Sequence, residues 1–159
     1  MKKNERISAY LESLGTEPDL AFDPHYQGYF RCFNRGDYYE AHDVLEQLWL
    51  RTTDANRNFF QGLIQIAGAF VHLQKQFRRP AHPKDGRRLR PAVRLFHLGL
   101  RNIEAYGSLH LGLDVAGLAA LCRRHASEIL ASGFARNPWH PTQLPQIALR
   151  ASPEATSGN

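Results

Sequence analysis

Apolar residues recur along this chain at three- and four-residue intervals, the period of one face of an α-helix, and the pattern is densest from Phe33 to Leu73. Asp23-Pro24 reads as an N-cap with proline at the first helical position, followed by Tyr26, Tyr29, Phe30 and Phe33 on one face. Asn34-Arg35-Gly36 stops that first helix. Asp37 is the next N-cap, with Glu40 three residues on as its capping-box partner. Tyr38, Ala41, Leu45, Leu48 and Trp49 form the stripe of the second helix, which ends at Thr52-Thr53. Asp54 is placed to cap a third helix running to about Phe77. Its apolar residues surround most of the circumference, as in a central helix.

Beyond Phe77 the pattern loosens. Arg78 to Arg90 contains Pro80, Pro83 and Gly86 and reads as a basic loop. Pro91 suits the first turn of a fourth helix that ends near Tyr106-Gly107, and Asp114 caps a fifth through about Ala131, closed by Gly133. Residues 1–22 form an amino-terminal extension with at most a short helix over Arg6 to Leu14. Residues 137–159 carry four prolines and are expected to be extended, packed locally through Trp139 and Ile147 at most, and disordered at the end. No run of alternating strand residues stands out. The predicted class is all-α, a compact antiparallel bundle of about five helices over residues 23–136 with a proline-rich tail.

Several polar residues fall on the faces expected to be buried. His42 and Glu46 are four apart and stack on one face of the second helix. Gln61, Gln65 and His72 span three turns of the third, with Gly68 leaving room beside them. The short connection makes the two helices antiparallel neighbours, so their polar lines are expected to face each other. One account is a hydrogen-bonded network satisfying itself, because buried polar groups left unpaired cost a few kcal/mol each. The other is a site. There His42 and Glu46 bind a divalent metal with His72 as third ligand, or Glu46 orients His42 for acid–base chemistry. Gln61, Gln65 and Trp49 would complete the wall, and Tyr38 or Tyr39 would gate access to a small molecule. Glutamine is a poor metal ligand, and no serine or cysteine is placed as a nucleophile, so whether the chain is an enzyme stays open.

The segments FNRGDYYEAHDVLEQLW and FFQGLIQIAGAFVHLQ, in this order and separation, resemble the domain of unknown function 309 family, small bacterial and archaeal proteins. The resemblance covers about Asp23 to Tyr106, with PAVRLFHLGLRNIEAY similar to the family's next helix. It implies a compact helical bundle and places the family's motif positions on Tyr39, Glu40, His42, Glu46, Trp49, Gln61, Gly62, Gln65 and His72. No activity comes with it. The arginine-rich loop and the proline-rich tail depart from the family pattern.

Composition adds bounds rather than chemistry. The 159 residues are 43% hydrophobic and 22% charged, as in an ordinary globular domain, and no apolar run is long enough to span a bilayer. The amino terminus lacks the apolar core of a secretory signal, and Cys32 and Cys122 are isolated, so a reducing cytoplasmic setting is expected. The net charge of +5 is local: Lys75 to Arg101 holds nine bases and one acid, the remainder eleven bases and fourteen acids. Arg78, Arg79, Lys84, Arg87, Arg88, Arg90, Arg94 and Arg101 could meet the phosphates of a nucleic acid or an acidic protein partner. A solvated loop and helix face is the simpler account, because no nucleic-acid motif or interleaved aromatic accompanies the patch. Two readings therefore stand together: a buried acid–base or metal site acting on a small molecule, and a non-enzymatic interaction module working through the basic loop. A homo-oligomer is compatible with both.

Overall fold

The computed structural model describes residues 2–14 and 22–150, which form six helices and one two-residue-by-two-residue hairpin. The helices are α1 (Lys3–Leu14), α2 (Pro24–Asn34), α3 (Tyr38–Arg51), α4 (Arg57–Arg78), α5 (Leu89–Glu104) and α6 (Val115–Ala131). The strands are β1 (Leu109–His110) and β2 (Leu113–Asp114), paired antiparallel with Leu109 opposite Asp114. The architecture is thus mostly helical, as the periodicity predicts. There are six described helices instead of about five, because the amino-terminal segment forms three full turns.

Helix starts follow the sequence with two exceptions. Asp23 accepts from the His25 N–H at 2.7 Å, and Asp114 from the Gly117 N–H at 2.9 Å, so both cap as expected. Asp37 makes no capping bond; its carboxylate lies 3.5 Å from Arg35, so the anticipated capping box with Glu40 does not form. Asp54 accepts from the Asn56 N–H at 2.8 Å in a turn, which moves the start of α4 to Arg57. The hairpin has no alternating signal because it is only a turn. Leu111 (φ +46°) and Gly112 (φ +73°) supply the two left-handed residues that a tight hairpin needs.

Aromatic side chains from α2, α3 and α4 fill the centre. Tyr29, Phe33, Tyr38, Phe59 and Phe70 are wholly buried, and the Tyr29 hydroxyl donates to the Leu63 carbonyl at 2.6 Å. Burying each such side chain contributes about 1.5–3 kcal/mol relative to exposure, before ordering costs. α4 is central: it packs on α3 and on α5, and α6 closes over α5. α1 docks through Ile7 and Leu11.

The stretch after α6 packs through Trp139 and Ile147, the residues singled out for it, but against distant helices rather than locally. Trp139 is buried, and its indole N–H donates to the Tyr38 hydroxyl 101 residues away at 2.9 Å. Asn34 holds Ile147 by two bonds of 2.7 Å, one in each direction. Asn137 donates to the Leu73 carbonyl at 2.8 Å. Prolines suit this role, since an extended strap needs neither a helix nor a strand ladder. The expected disorder at the end lies outside the described residues.

Candidate functional site

The polar residues of α3 and α4 do not converge. His42 and Glu46 point towards α1, not α4. The His42 Nδ1 lies 3.2 Å from Asp43, its Nε2 lies 3.8 Å from Glu46, and Lys3 of α1 reaches both carboxylates at 3.5 and 3.7 Å. The four groups form a ring at the α1–α3 contact, with an excess of one carboxylate while the imidazole is neutral and balance once it is protonated. His42 keeps 33% of its side chain exposed, so it lies at the edge of the apolar stripe rather than within it. A heptad-like stripe cannot separate these two cases, because an edge position and a centre position differ by one residue's rotation of about 100°.

The residues on α4 serve α5 and the following loop. The Gln65 carbonyl oxygen accepts from the Asn102 amide at 2.8 Å. The His72 Nδ1 lies 3.1 Å from an Arg88 N–H group and therefore accepts from it. Burial, then the Arg88 charge, pushes the His72 pKa below its ordinary 6.5. Gln61 is partly buried in α4. The proposed ligand set of His42, Glu46 and His72 is thus split over two contacts. Among the described residues no group of three or more His, Cys, Asp and Glu is placed to hold a metal ion.

The wall residues separate too. Tyr38 is wholly buried against Phe70 and Trp139 and cannot gate anything. Tyr39 is 58% exposed, and its ring lies nearly parallel to the His42 ring at 6.4 Å between centroids. Trp49 packs beneath the Arg57 guanidinium at 4.3 Å, and Arg57 also donates to the Trp49 and Thr52 carbonyls, joining the end of α3 to the start of α4.

A groove of about 380 Å³ lies between α1 and α3; His42 does not line it but touches two residues that do, Tyr39 and Asp43. Apolar Ile7 and Val44, the aromatic Tyr10 and Tyr39, the bases Lys3 and Arg6 and the acids Glu40 and Asp43 line it. The contributions from α1 and Asp43 escape sequence reasoning, because nothing in residues 3–10 signals which face of the bundle they cover.

The basic loop is also built differently from its sequence. Its single acid, Asp85, accepts from Arg88 Nε at 2.9 Å, from Arg88 Nη2 at 2.5 Å and from Arg79 at 3.2 Å. The Arg88 guanidinium beside Asp85 holds the carboxyl below its usual range. The side chains of Arg88 and Asp85 are each only 13% exposed. The Arg88 N–H donates to Gln76 at 2.7 Å, and His82 Nδ1 accepts from the Lys84 and Asp85 N–H groups. Arg88 is therefore an internal strut and Arg79 shares the Asp85 carboxylate with it, while Arg78, Lys84, Arg87, Arg90 and Arg94 stay exposed and, among the described residues, without a carboxylate partner.

The class of protein is a helical bundle whose α2–α4 unit carries the EAHDVLEQLW and QGLIQ segments at adjoining contacts. Residues 26–82 match the model of the family described as Domain of unknown function (DUF309). The match takes in most of α2, all of α3 and α4, and the first part of the loop. No curated protein and no solved structure gives a significant match. No described helix is long and apolar enough to cross a membrane.

Proposed function

We propose that the groove between α1 and α3 binds a small charged organic molecule and that His42 moves a proton on it. The observation that carries this reading is a partly open imidazole set between two carboxylates, one of which, Asp43, also lines the mixed-charge groove. Asp43, at hydrogen-bonding distance from Nδ1, orients the ring. The 3.8 Å from Nε2 to Glu46 exceeds an N–H···O bond, so this nitrogen is the one free to exchange a proton. Lys3 and Arg6 suit an anionic end of the bound molecule, Glu40 a cationic end, and the two tyrosines its body. A zwitterion such as an amino acid or a short peptide suits a lining that carries both signs of charge. Proton transfer is preferred over metal binding because, among the described residues, no group of three or more His, Cys, Asp and Glu is placed to hold a metal ion.

Side-chain NMR of histidine-labelled protein, titrated with free amino acids and glycylglycine, tests the reading. A saturable shift of the His42 resonances, lost in Tyr39→Ala and in Glu40→Gln, is expected. No saturable shift with any probe overturns it. The ring would then serve only to dock α1, and His42→Ala would do no more than loosen that helix.

A further inference from the structure

The outer face of α5 is basic up to its last residue. Its exposed residues are Arg90, Arg94, His97, Arg101 and, at the last position, Glu104. The spacing of four, three and four residues sets the first four on one line, one per turn. The line is about 16 Å long with steps of about 5 Å, at 1.5 Å per residue. Among the described residues no carboxylate pairs with Arg90, Arg94 or Arg101, and Glu104, which ends the line, is taken by Arg123. Arg90 is held in place, its guanidinium 4.0 Å above the Phe134 ring.

We propose that this face of α5 binds the phosphate backbone of a nucleic-acid duplex without reading its sequence. A straight row of three arginines, with His97 in the gap between the second and third, suits a linear polyanion, and a duplex strand presents about five phosphates over that length. Arginine favours phosphate because its planar fork donates two parallel bonds. An acidic protein is the weaker fit: stable protein interfaces keep an apolar centre, and no exposed residue of α5 is apolar. Single strands need several stacking platforms, and the exposed face of α5 offers only the His97 imidazole. The internal Arg88 and the Asp85-bound Arg79 take no part, which shifts the binding element from the loop to the helix. This proposal is independent of the α1–α3 groove.

The test is fluorescence anisotropy of the full chain with short, labelled, random-sequence duplexes of DNA and RNA, over a range of salt. Three phosphate contacts predict a slope of log K against log salt of about −2.7, or about 40-fold weakening between 50 and 200 mM. Arg94→Gln with Arg101→Gln should reduce the slope to about −0.9. Arg136→Gln with Arg150→Gln removes the same charge elsewhere and should leave binding unchanged. Absence of binding at low salt, equal losses in both double variants, or polyglutamate binding as tightly as duplex would each overturn the proposal. Circular dichroism of every variant establishes that the fold is intact, which these exposed positions are expected to preserve.

Discussion

Replacing glycine by alanine inside a helix ordinarily stabilises it by about 1 kcal/mol, because alanine loses less backbone freedom. Gly62 in α4 should do the reverse. A methyl group there would sit 2.8 Å from Asn102 Cβ, 2.8 Å from Ile103 Cγ2 and 3.0 Å from the Gly99 carbonyl oxygen, all on α5. Two of these atoms are fixed to the backbone, so no rotamer change relieves the overlap and the helices must separate. Overpacking of this kind costs about 1–3 kcal/mol, and a contact fixed by backbone belongs at the upper end. Net of the propensity gain, Gly62→Ala should destabilise by roughly 2 kcal/mol, lowering Tm by about 4–8 °C for a domain of this size. Gly99→Ala faces Ile66 Cγ1 at 2.6 Å and the Gly62 carbonyl at 2.9 Å and should behave alike. Gly68→Ala meets only the end of Leu95 at 3.1 Å, which can swing away, so it should be neutral or slightly stabilising. Urea unfolding followed by circular dichroism measures all three. A Gly62→Ala protein as stable as the parent would show that α4 and α5 do not cross this closely and would refute the reasoning.

Other consequences are equally direct. Tyr38→Phe strands the buried Trp139 indole N–H and should cost about 1–3 kcal/mol, read from the unfolding midpoint together with a change in tryptophan emission. Burial depresses His72, His110 and His125 below 6.5, so their contribution to stability is complete above that pH and is lost as pH falls through the lowered folded values. Tm should therefore decline on acidification from pH 6.5, and His125→Leu should flatten the decline. Asp23, held down to about 2 chiefly by its bond from His25, contributes above its ordinary 3.8, and that contribution disappears between about pH 4 and 2; Asp23→Asn should remove this lowest step of the acid titration. Protein purified without a histidine tag should hold no stoichiometric metal, and metal that vanishes in His42→Ala would contradict the proton-transfer reading.

Position within a helix proved easier to read than direction between helices. Asp23-Pro24 and Asp114 begin helices because capping is local chemistry, settled within a few residues. Asp37 and Asp54 carry the same local signal and do not cap, because an arginine and a turn claim their carboxylates. The family segments were recognisable from order and spacing alone, yet their polar residues part company: Gln65 and His72 turn to α5 and Arg88, His42 and Glu46 to α1. Both pairings join residues 16 to 43 apart, and nothing in either segment encodes its distant partner.

What the chain determined by itself is the helical content, most of the core and a chemically unusual α3. These follow from periodicity and burial, which every window of the sequence expresses. Only the tertiary structure decided that α1 supplies Lys3 to the His42 ring, that Asp85 withdraws Arg88 from the basic patch, and that Trp139 and Ile147 strap the tail to Tyr38 and Asn34. The physical reason is the same in each case. A charge or hydrogen-bonding group is satisfied by whichever partner the packing brings within about 3 Å, and that choice is made by the fold as a whole.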